Sequence, residues 1–194
     1  MASRYGTHKL AAVGIDPGVT TSGISVFTSD GGCVFHRTVT KPFLHDYDAV
    51  DVLACLQPYD EIIFAIEKPY DRYGPVAAVA FWTSWIRKVA STWRVKPPTE
   101  SQSYILHPLP RVWRTGLTLN RLAGEQIKQE ATRLALALLP KGSEVLASSD
   151  EAESILIARW ACWNHKGQTL RRNGVKKDDM LSQRSFKFPG HASK

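Results

Sequence analysis

The sequence predicts an α/β domain in which helices flank a mixed five-stranded sheet. Short apolar runs, typical of buried strands, alternate along the chain with longer segments of helical spacing. The predicted order is three strands, helix, strand, helix, strand and two helices, which is typical of a sheet with helices packed on its faces. Apolar residues make up 43% of the 194 residues, which is enough for a core.

The strands are predicted from apolar runs and from alternation. Two runs are continuously apolar, as in strands buried on both faces. Two others alternate apolar and polar residues on either side of the sequence DGG at residues 30–32, which is a hairpin signal. The first strand is therefore expected to lie beside a two-stranded antiparallel ribbon. The five predicted strands are residues 9–16, 23–30, 33–40, 61–67 and 103–107.

The helices are predicted from helical spacing and from the residues that end it. Pro58 follows the first predicted helix, and Pro140 is the last residue of the third. Proline stops a helix in both places. Ser148, with Glu151 three residues later, forms a capping box at the start of the last helix. The four predicted helices are residues 48–56, 75–94, 124–140 and 148–163.

Positive charge is concentrated at the C-terminus. The formal net charge is +7, and residues 165–194 hold 8 Lys and Arg residues against 2 Asp residues. We therefore expect a nearly neutral globular domain over residues 1–164 and a basic, flexible tail over residues 165–194. Such a tail attracts polyanions, and a purely solubilising role is the alternative.

Targeting and redox patterns indicate a cytoplasmic protein. The first ten residues lack the apolar region of a secretory signal, and no stretch approaches the ~18 apolar residues of a membrane-spanning helix. The three cysteines, Cys33, Cys55 and Cys162, are widely spaced and include no CxxC pair. This pattern fits a reducing compartment and argues against a zinc site.

Two predicted strands end in a carboxylate, Asp16 and Glu67, and each acid closes an apolar run. If these strands lie parallel and adjacent, both acids emerge at the carboxyl edge of the sheet, where open α/β sheets place their sites. Asp150 and Glu153, three residues apart in the last helix, share one helix face. Four acids brought together would raise one another's pKa unless a cation neutralised them.

The type of ligand indicates the type of ion. Carboxylate oxygens without a nearby Cys or His select a hard ion, Mg²⁺ or Mn²⁺. Two such ions are the usual arrangement for in-line phosphoryl displacement. The four acids together therefore indicate a metal site for phosphoryl chemistry.

Each acid also has a structural explanation when taken singly. Asp16 precedes Pro17 in a turn. Glu67 has Lys68 and Arg72 as possible ion-pair partners, and the helix acids suit the positive end of a helix. The two strand-end acids are harder to explain in this way, because each closes a run of apolar residues.

Three stretches resemble the RuvC-type Holliday junction resolvases, in particular their phage branch. They are VGIDPGVTTSGISVF at residues 13–27, IIFAIEKPY at 62–70 and SSDEAESILIARWA at 148–161. The resemblance runs from about residue 10 to residue 163. It implies an RNase H-like fold and a homodimer that acts on four-way DNA junctions, in a bacterial or phage-infected cell.

The resemblance implies a catalytic set of four metal-binding acids that holds two Mg²⁺ ions per site, with Mn²⁺ as a substitute. The fourth position is usually aspartate in the family, so the longer Glu153 is a departure that leaves its distance from the metal open. Glu151 has no family counterpart and is expected to be a capping acid. The four catalytic acids are Asp16, Glu67, Asp150 and Glu153.

DNA-contacting residues are also implied by the resemblance. Basic residues near the scissile phosphate come from the segment between the last core strand and the penultimate helix, and Lys128 is the most natural match because it lies on that helix. Residues just after Glu67 contact the junction in the family, although Tyr70 has packing in a turn as its alternative. The DNA-binding candidates are Lys68, Tyr70, Arg72, Tyr73, Arg111, Arg114, Arg121 and Lys128.

Four tryptophans form two pairs at helical spacing, Trp82 with Trp85 and Trp160 with Trp163. Packing in the core or at a dimer interface is favoured over stacking on DNA for all four. The resemblance makes Trp82 or Trp85 a candidate anchor of the dimer.

The predicted function is a metal-dependent endonuclease that resolves four-way junctions by paired symmetric nicks, leaving 5′-phosphate and 3′-hydroxyl ends. A broader branched-DNA debranching nuclease is one alternative, and a non-catalytic junction-binding relative is another, although all four acids are present. A third is an actin- or Hsp70-like phosphate-binding fold, since GIDPGVTTSG looks like its first phosphate loop. That fold needs two lobes and a second Gly-rich loop.

Overall fold

Five strands form one mixed sheet in the computed structural model, which describes residues 9–40, 50–68, 73–93, 105–117, 119–142 and 145–172. The strands are β1 (Leu10–Asp16), β2 (Thr21–Thr28), β3 (Cys33–Thr40), β4 (Glu61–Ile66) and β5 (Ile105–Leu106). Their spatial order is β3-β2-β1-β4-β5. The predicted five-stranded mixed sheet is thereby confirmed.

The central strand, β1, has an antiparallel neighbour on one side and a parallel neighbour on the other. It pairs antiparallel with β2, and β2 pairs antiparallel with β3, as expected from the hairpin signal. On its other side β1 pairs parallel with β4, with Ile15 opposite Ile66. Because the two parallel strands end together, the residues that follow them emerge at the same edge of the sheet.

Five α-helices accompany the sheet within the described residues. They are α1 (Val50–Leu56), α2 (Tyr73–Trp93), α3 (Pro110–Thr115), α4 (Glu125–Leu136) and α5 (Ser149–Arg172). The sequence did not predict α3, because six residues are too few to show an apolar period; Pro110 at its first position is the one local signal. None of the described helices is long and apolar enough to cross a membrane.

Helix α5 is longer than predicted and continues past residue 163 to Arg172. Its extension is tied to the start of β4 by a polar contact in which His165 Nε2 lies 2.8 Å from Glu61 Oε1. The first residues of the segment predicted as a tail are therefore helical. The other part of that segment, residues 173–194, lies outside the described residues, and its flexibility stays a prediction.

Apolar side chains form a core on each face of the sheet. Trp113, Leu134 and Ile155, from α3, α4 and α5, pack on one face. The other face is covered by α1 and α2, whose core residues include Val52 and Ile86. Both faces of β1 are therefore buried, as its continuous apolar run predicted.

Trp82 and Trp85 belong to the core between α2 and the sheet. Their exposed fractions are 0% and 7%, and the Trp82 indole N–H donates to Ser22 Oγ at 3.1 Å. Core packing, one of the two roles favoured from the sequence, is confirmed for this pair. The suggestion that either one anchors a dimer is wrong, because almost none of their surface is available to a partner.

Helix α5 lies directly on the sheet because glycines leave room for its backbone. A Cβ atom at Gly14 of β1 would overlap the carbonyl oxygen of Ser154, and one at Gly23 of β2 would overlap that of Asp150. Glycine permits this close approach of two backbones. The consequence is that the first turns of α5 are held over the end of β1.

Candidate active site

The site begins at the carboxyl edge of the sheet, where Asp16 ends β1 and Glu67 follows β4. The backbone N–H of Glu67 donates to the carbonyl of Ile15 at 3.0 Å, which extends the parallel pairing by one step. Asp16 and Glu67 therefore leave neighbouring strands at the same level. This is the arrangement expected from two apolar runs that each close on an acid.

Glu153 completes a group of three acids from above the sheet. One carboxylate oxygen from each of Asp16, Glu67 and Glu153 lies within 4.8 Å of the others. Asp16 is half-buried, whereas Glu67 and Glu153 are only 9% and 7% exposed. We call these three residues the acid cluster.

Asp150, the fourth predicted acid, lies one turn earlier in α5 and beside the acid cluster. Its Oδ2 accepts a hydrogen bond from Thr21 Oγ1 at 2.5 Å, which fixes the carboxylate against the start of β2. Its negative charge contributes to raising the pKa of Asp16. The structure thus brings three of the four acids into one group and holds the fourth close by.

Burial and neighbouring negative charges raise the pKa of two of these acids, Asp16 and Glu67. Burial is the main cause that raises the pKa of Asp16 well above its ordinary value, followed by the charges of Glu67 and Glu153. For Glu67, burial and the charge of Glu153 raise the pKa to about 7. A site that resists losing its protons in this way has a strong electrostatic demand for cations.

Arg114 is the described basic residue that contacts the acid cluster. Its Nη2 lies 2.7 Å from Glu153 Oε2 and 3.9 Å from Glu67 Oε1. Its guanidinium carbon lies 4.9 Å from the centroid of the Trp113 ring. One positive charge thus faces three carboxylates, so the cluster keeps a negative excess when all three are ionised.

Trp113 fixes the orientation of Glu67. The indole is fully buried in the core beneath α5, and its N–H donates to Glu67 Oε1 at 2.8 Å. This hydrogen bond lowers the pKa of Glu67 and partly offsets the effect of burial. The sequence analysis identified neither Trp113 nor Thr21 as a site residue. Nothing in the sequence distinguishes Trp113 from the other five tryptophans.

The start of α5 is held by a second, buried acid, Glu151. Its backbone N–H donates to Ser148 Oγ at 3.1 Å, as the predicted capping box requires. Its carboxylate accepts hydrogen bonds of 2.9 Å from the Ala147 N–H and from Thr38 Oγ1, and it also contacts His36 Nδ1. Glu151 therefore joins the first turn of α5 to β3, beside two of the site acids.

The other predicted DNA-binding residues are more scattered. Lys68 is exposed directly after Glu67, and Arg111, Arg121 and Lys128 are exposed around α3 and α4. Among the described basic residues it is Arg114, and not the expected Lys128, that contacts the acid cluster. Tyr70, Arg72 and the side chain of Tyr73 lie outside the described residues.

The donor set fits a hard divalent cation. All the ligand atoms that the acid cluster offers are carboxylate oxygens, which are the ligands that Mg²⁺ and Mn²⁺ prefer. Burial and neighbouring carboxylates raise the pKa of Asp16 and of Glu67, and a bound divalent cation would offset both effects. The geometry can therefore hold metal at an edge where a phosphate group could approach.

Comparisons with known proteins support the fold. No protein-family model matches the sequence, and no curated protein has significant similarity to it. Among solved structures, Thermus thermophilus RuvC superposes with a TM-score of 0.52 at 16% identity, over 81% of this chain and 96% of RuvC. A complex of T. thermophilus RuvC with a Holliday junction substrate has a TM-score of 0.50 at 15% identity, over 85% of this chain and 97% of that chain. The α/β RNase H-like fold is thereby confirmed, and the structural neighbours come from the enzyme group that three stretches of the sequence resemble.

Proposed function

We propose that this chain is a metal-dependent endodeoxyribonuclease that resolves four-way DNA junctions. The observation that carries the proposal is the acid cluster, which gathers Asp16, Glu67 and Glu153 with Arg114 at the carboxyl edge of two parallel strands. The RuvC-like fold supports it, because one of the neighbours is a resolvase in complex with its junction. Fold alone does not define an activity, so the arrangement of the site has to support the chemistry.

The site residues would hold two Mg²⁺ ions, with Mn²⁺ as a substitute. We assign Asp16, Glu67 and Glu153 as ligands, and Asp150 as the fourth ligand from the first turn of α5. Bound ions would supply an acidified water as nucleophile and charge stabilisation at the departing 3′ oxygen. The expected products are a 5′-phosphate and a 3′-hydroxyl.

The protein's own residues orient this site and balance its charge. The Trp113 indole holds Glu67 in one orientation, and Thr21 does the same for Asp150. Arg114 lies against Glu153, where its guanidinium can also pair with a phosphate oxygen of the cleaved strand. Arg114 thus replaces Lys128 as our candidate for the basic residue at the scissile phosphate.

Contacts to the remainder of the junction are assigned to cations and aromatics, of which Lys68, Arg111, Arg121 and Lys128 are exposed. Phosphate contacts position a protein on DNA, and aromatic rings stack on unpaired bases. The proposed contacts are Lys68, Tyr70, Arg72, Tyr73, Arg111, Arg121 and Lys128. The basic segment 165–194 would add non-specific affinity that weakens with salt.

A homodimer would place two such sites across one junction. Two sites related by a two-fold axis match the symmetry of a four-way junction, so opposing strands would be nicked symmetrically. A monomer acting alone would nick one strand at a time. The symmetry of the nicks therefore reports on the assembly as well as on the chemistry.

The test is cleavage of a synthetic four-way junction beside a linear duplex of matched sequence. Reactions contain Mg²⁺, Mn²⁺ or EDTA, and the proteins are the wild type and Asp16→Asn. Asp30→Asn is the matched control, because Asp30 is an exposed acid in the turn between β2 and β3. We expect the wild type and Asp30→Asn to nick the junction symmetrically with metal only, and Asp16→Asn to bind the junction without cutting it.

Other outcomes separate the alternatives. Cutting of several branched structures at similar rates would indicate a general debranching nuclease. Binding without cleavage under every metal would indicate a non-catalytic relative. Failure to bind branched DNA would overturn the proposal.

A further inference from the structure

A cavity of about 320 Å³ lies between α3 and the middle of α5. This volume is within the usual range of sites that bind small ligands or parts of larger ones. The cavity shares a wall with the acid cluster, because Trp113 lines it and also donates its indole N–H to Glu67.

The lining combines flat aromatic surface with polar groups. Trp160 and Trp163, one turn apart on α5, are half-buried and line the cavity. Arg159 and Asn164 add a guanidinium and an amide to the lining, and Thr115 adds a hydroxyl that already donates to the Arg111 carbonyl and accepts from Asn120. Indole and guanidinium planes stack on bases, and an amide can pair with base edges.

We propose that this cavity binds one unpaired nucleobase from the strand that is being cut. The inference rests on the proposed function, and it assigns to Trp160 and Trp163 a role in addition to packing, since Trp160 also packs against the core as expected from the sequence. A base is the occupant that fits, because the lining combines indole and guanidinium planes with an amide, and because one lining residue, Trp113, also contacts Glu67 of the acid cluster. A bound base would also fix the position of the strand and give cleavage a local sequence preference.

Gly116 provides a variant that fills the cavity without disturbing the fold. It lines the cavity, its φ is −69° and nothing lies within 4 Å of the position of an added Cβ. Gly116→Leu would therefore occupy space meant for the base while keeping an ordinary backbone conformation. Trp160→Ala is the complementary variant, because it removes a stacking surface.

Tyr59→Ala is the matched control. Tyr59 is also a half-buried aromatic residue, but it packs against the core on the other face of the sheet. Thermal unfolding of all three variants checks that each one folds. Sedimentation checks whether any of them changes the oligomeric state.

The experiment uses the full chain and four-way junctions that carry a single abasic site at each nucleotide flanking the cut. Affinity is measured in EDTA, and single-turnover cleavage is measured in Mg²⁺. For the wild type, we expect one abasic position to reduce affinity about tenfold. Gly116→Leu and Trp160→Ala should lose a similar factor on the intact junction and nothing more on that abasic junction.

Each failure has its own signature. If the wild type binds and cuts the junction with no sensitivity to any abasic site, the base cavity is overturned and the proposed function stands. The cavity is likewise overturned if the abasic effect persists in Gly116→Leu, or if Gly116→Leu alters only the oligomeric state. If the wild type binds no branched DNA, the proposed function fails, and the base cavity fails with it.

Discussion

Arg114 forms an ion pair with Glu153, with 2.7 Å between Nη2 and Oε2, at the position where the acid cluster meets α3. The same nitrogen lies 3.9 Å from Glu67. The guanidinium therefore lowers the repulsion within the acid cluster and competes with any cation that the cluster binds. A substitution of Arg114 can therefore change the affinity for metal in one direction and the rate of cleavage in the other.

Arg114→Met should change the affinity for metal and the rate of cleavage in opposite directions. Without the guanidinium the acid cluster is more negative, so we expect Mg²⁺ to bind several-fold more tightly, as measured by calorimetry. Cleavage of the junction should fall by about 10² or more, because a charge-assisted contact to the phosphate is lost. Methionine preserves most of the apolar stem, although the contact of the guanidinium with the Trp113 ring is lost.

Arg111→Met is the control for this substitution. Arg111 lies on the same short helix, but it is exposed. We expect its Mg²⁺ affinity to equal that of the wild type, with a modest loss of DNA affinity that shrinks at high salt. Weaker Mg²⁺ binding in Arg114→Met would contradict the electrostatic argument and would assign Arg114 a role in shaping the site.

The raised pKa of Glu67 predicts how the stability of the metal-free protein varies with pH. The folded carboxyl has a pKa of about 7, against an ordinary value of 4.5 for the unfolded chain. Between these values the folded state binds more protons than the unfolded state, so the free energy of unfolding falls as the pH rises. Asp16 acts in the same direction. Urea unfolding in EDTA across this window measures the slope.

Two comparisons test the origin of this slope. Glu67→Gln carries no charge to repel its neighbours, so above the window we expect its melting temperature in EDTA to exceed that of the wild type by on the order of 5 °C. Glu125→Gln, an exposed acid on α4, should behave as the wild type does. Added Mg²⁺ should remove most of the difference by stabilising the wild type. A free energy of unfolding that rises with pH across this window in EDTA would contradict the argument, because the folded state would then bind fewer protons than the unfolded state.

The sequence predicted the edge of the site better than its surroundings. Asp16 and Glu67 could be placed because a carboxylate that closes an apolar run is a local pattern, and a parallel pairing brings two such ends together. Asp150 and Glu153 could be added because three-residue spacing defines one helix face. These patterns are local in the chain, and they require only the assumption that the two strands ending in acids are parallel and adjacent.

Contacts that depend on tertiary packing could not be predicted in this way. Lys128 was preferred over Arg114 because it lies on a recognisable helix, whereas α3 is too short to have a pattern. The end of α5 could not be predicted because its last part is polar, and the contact of His165 with Glu61 that ties it to β4 is non-local. The capping box was found from spacing, but the bonds of Glu151 to β3 are non-local.

The close contact of α5 with the sheet predicts a severe effect of one added methyl group. Gly14→Ala should destabilise the protein by about 3 kcal/mol or more, because the new Cβ overlaps the backbone of α5 and cannot be relieved by a side-chain rotation. Gly32→Ala is the control, since nothing lies within 4 Å of its added Cβ. Urea unfolding measures both. Equal midpoints for the two variants would contradict the close approach of α5.

Glu151 links the stability of the fold to the affinity for metal. Glu151→Ala removes the buried acceptor of the Ala147 N–H and of the Thr38 hydroxyl, which keeps its contact with Ser148 Oγ, so we expect a loss of about 1–3 kcal/mol in the free energy of unfolding. Asp150 and Glu153 lie on the same turns of α5, so Mg²⁺ affinity should fall as well. Glu151→Gln, which keeps an acceptor oxygen, should recover part of both losses.

Glu125→Ala separates this effect from a general one of helix charge. Glu125 also lies in the first turn of a helix, but it is exposed, so its loss should cost no more than about 0.5 kcal/mol and leave Mg²⁺ binding unchanged. If Glu151→Ala were destabilised yet bound Mg²⁺ as the wild type does, the acid cluster would be positioned by the glycine contacts of α5 alone. If both quantities fall together, the bonds to β3 are what hold the metal ligands of α5 in place.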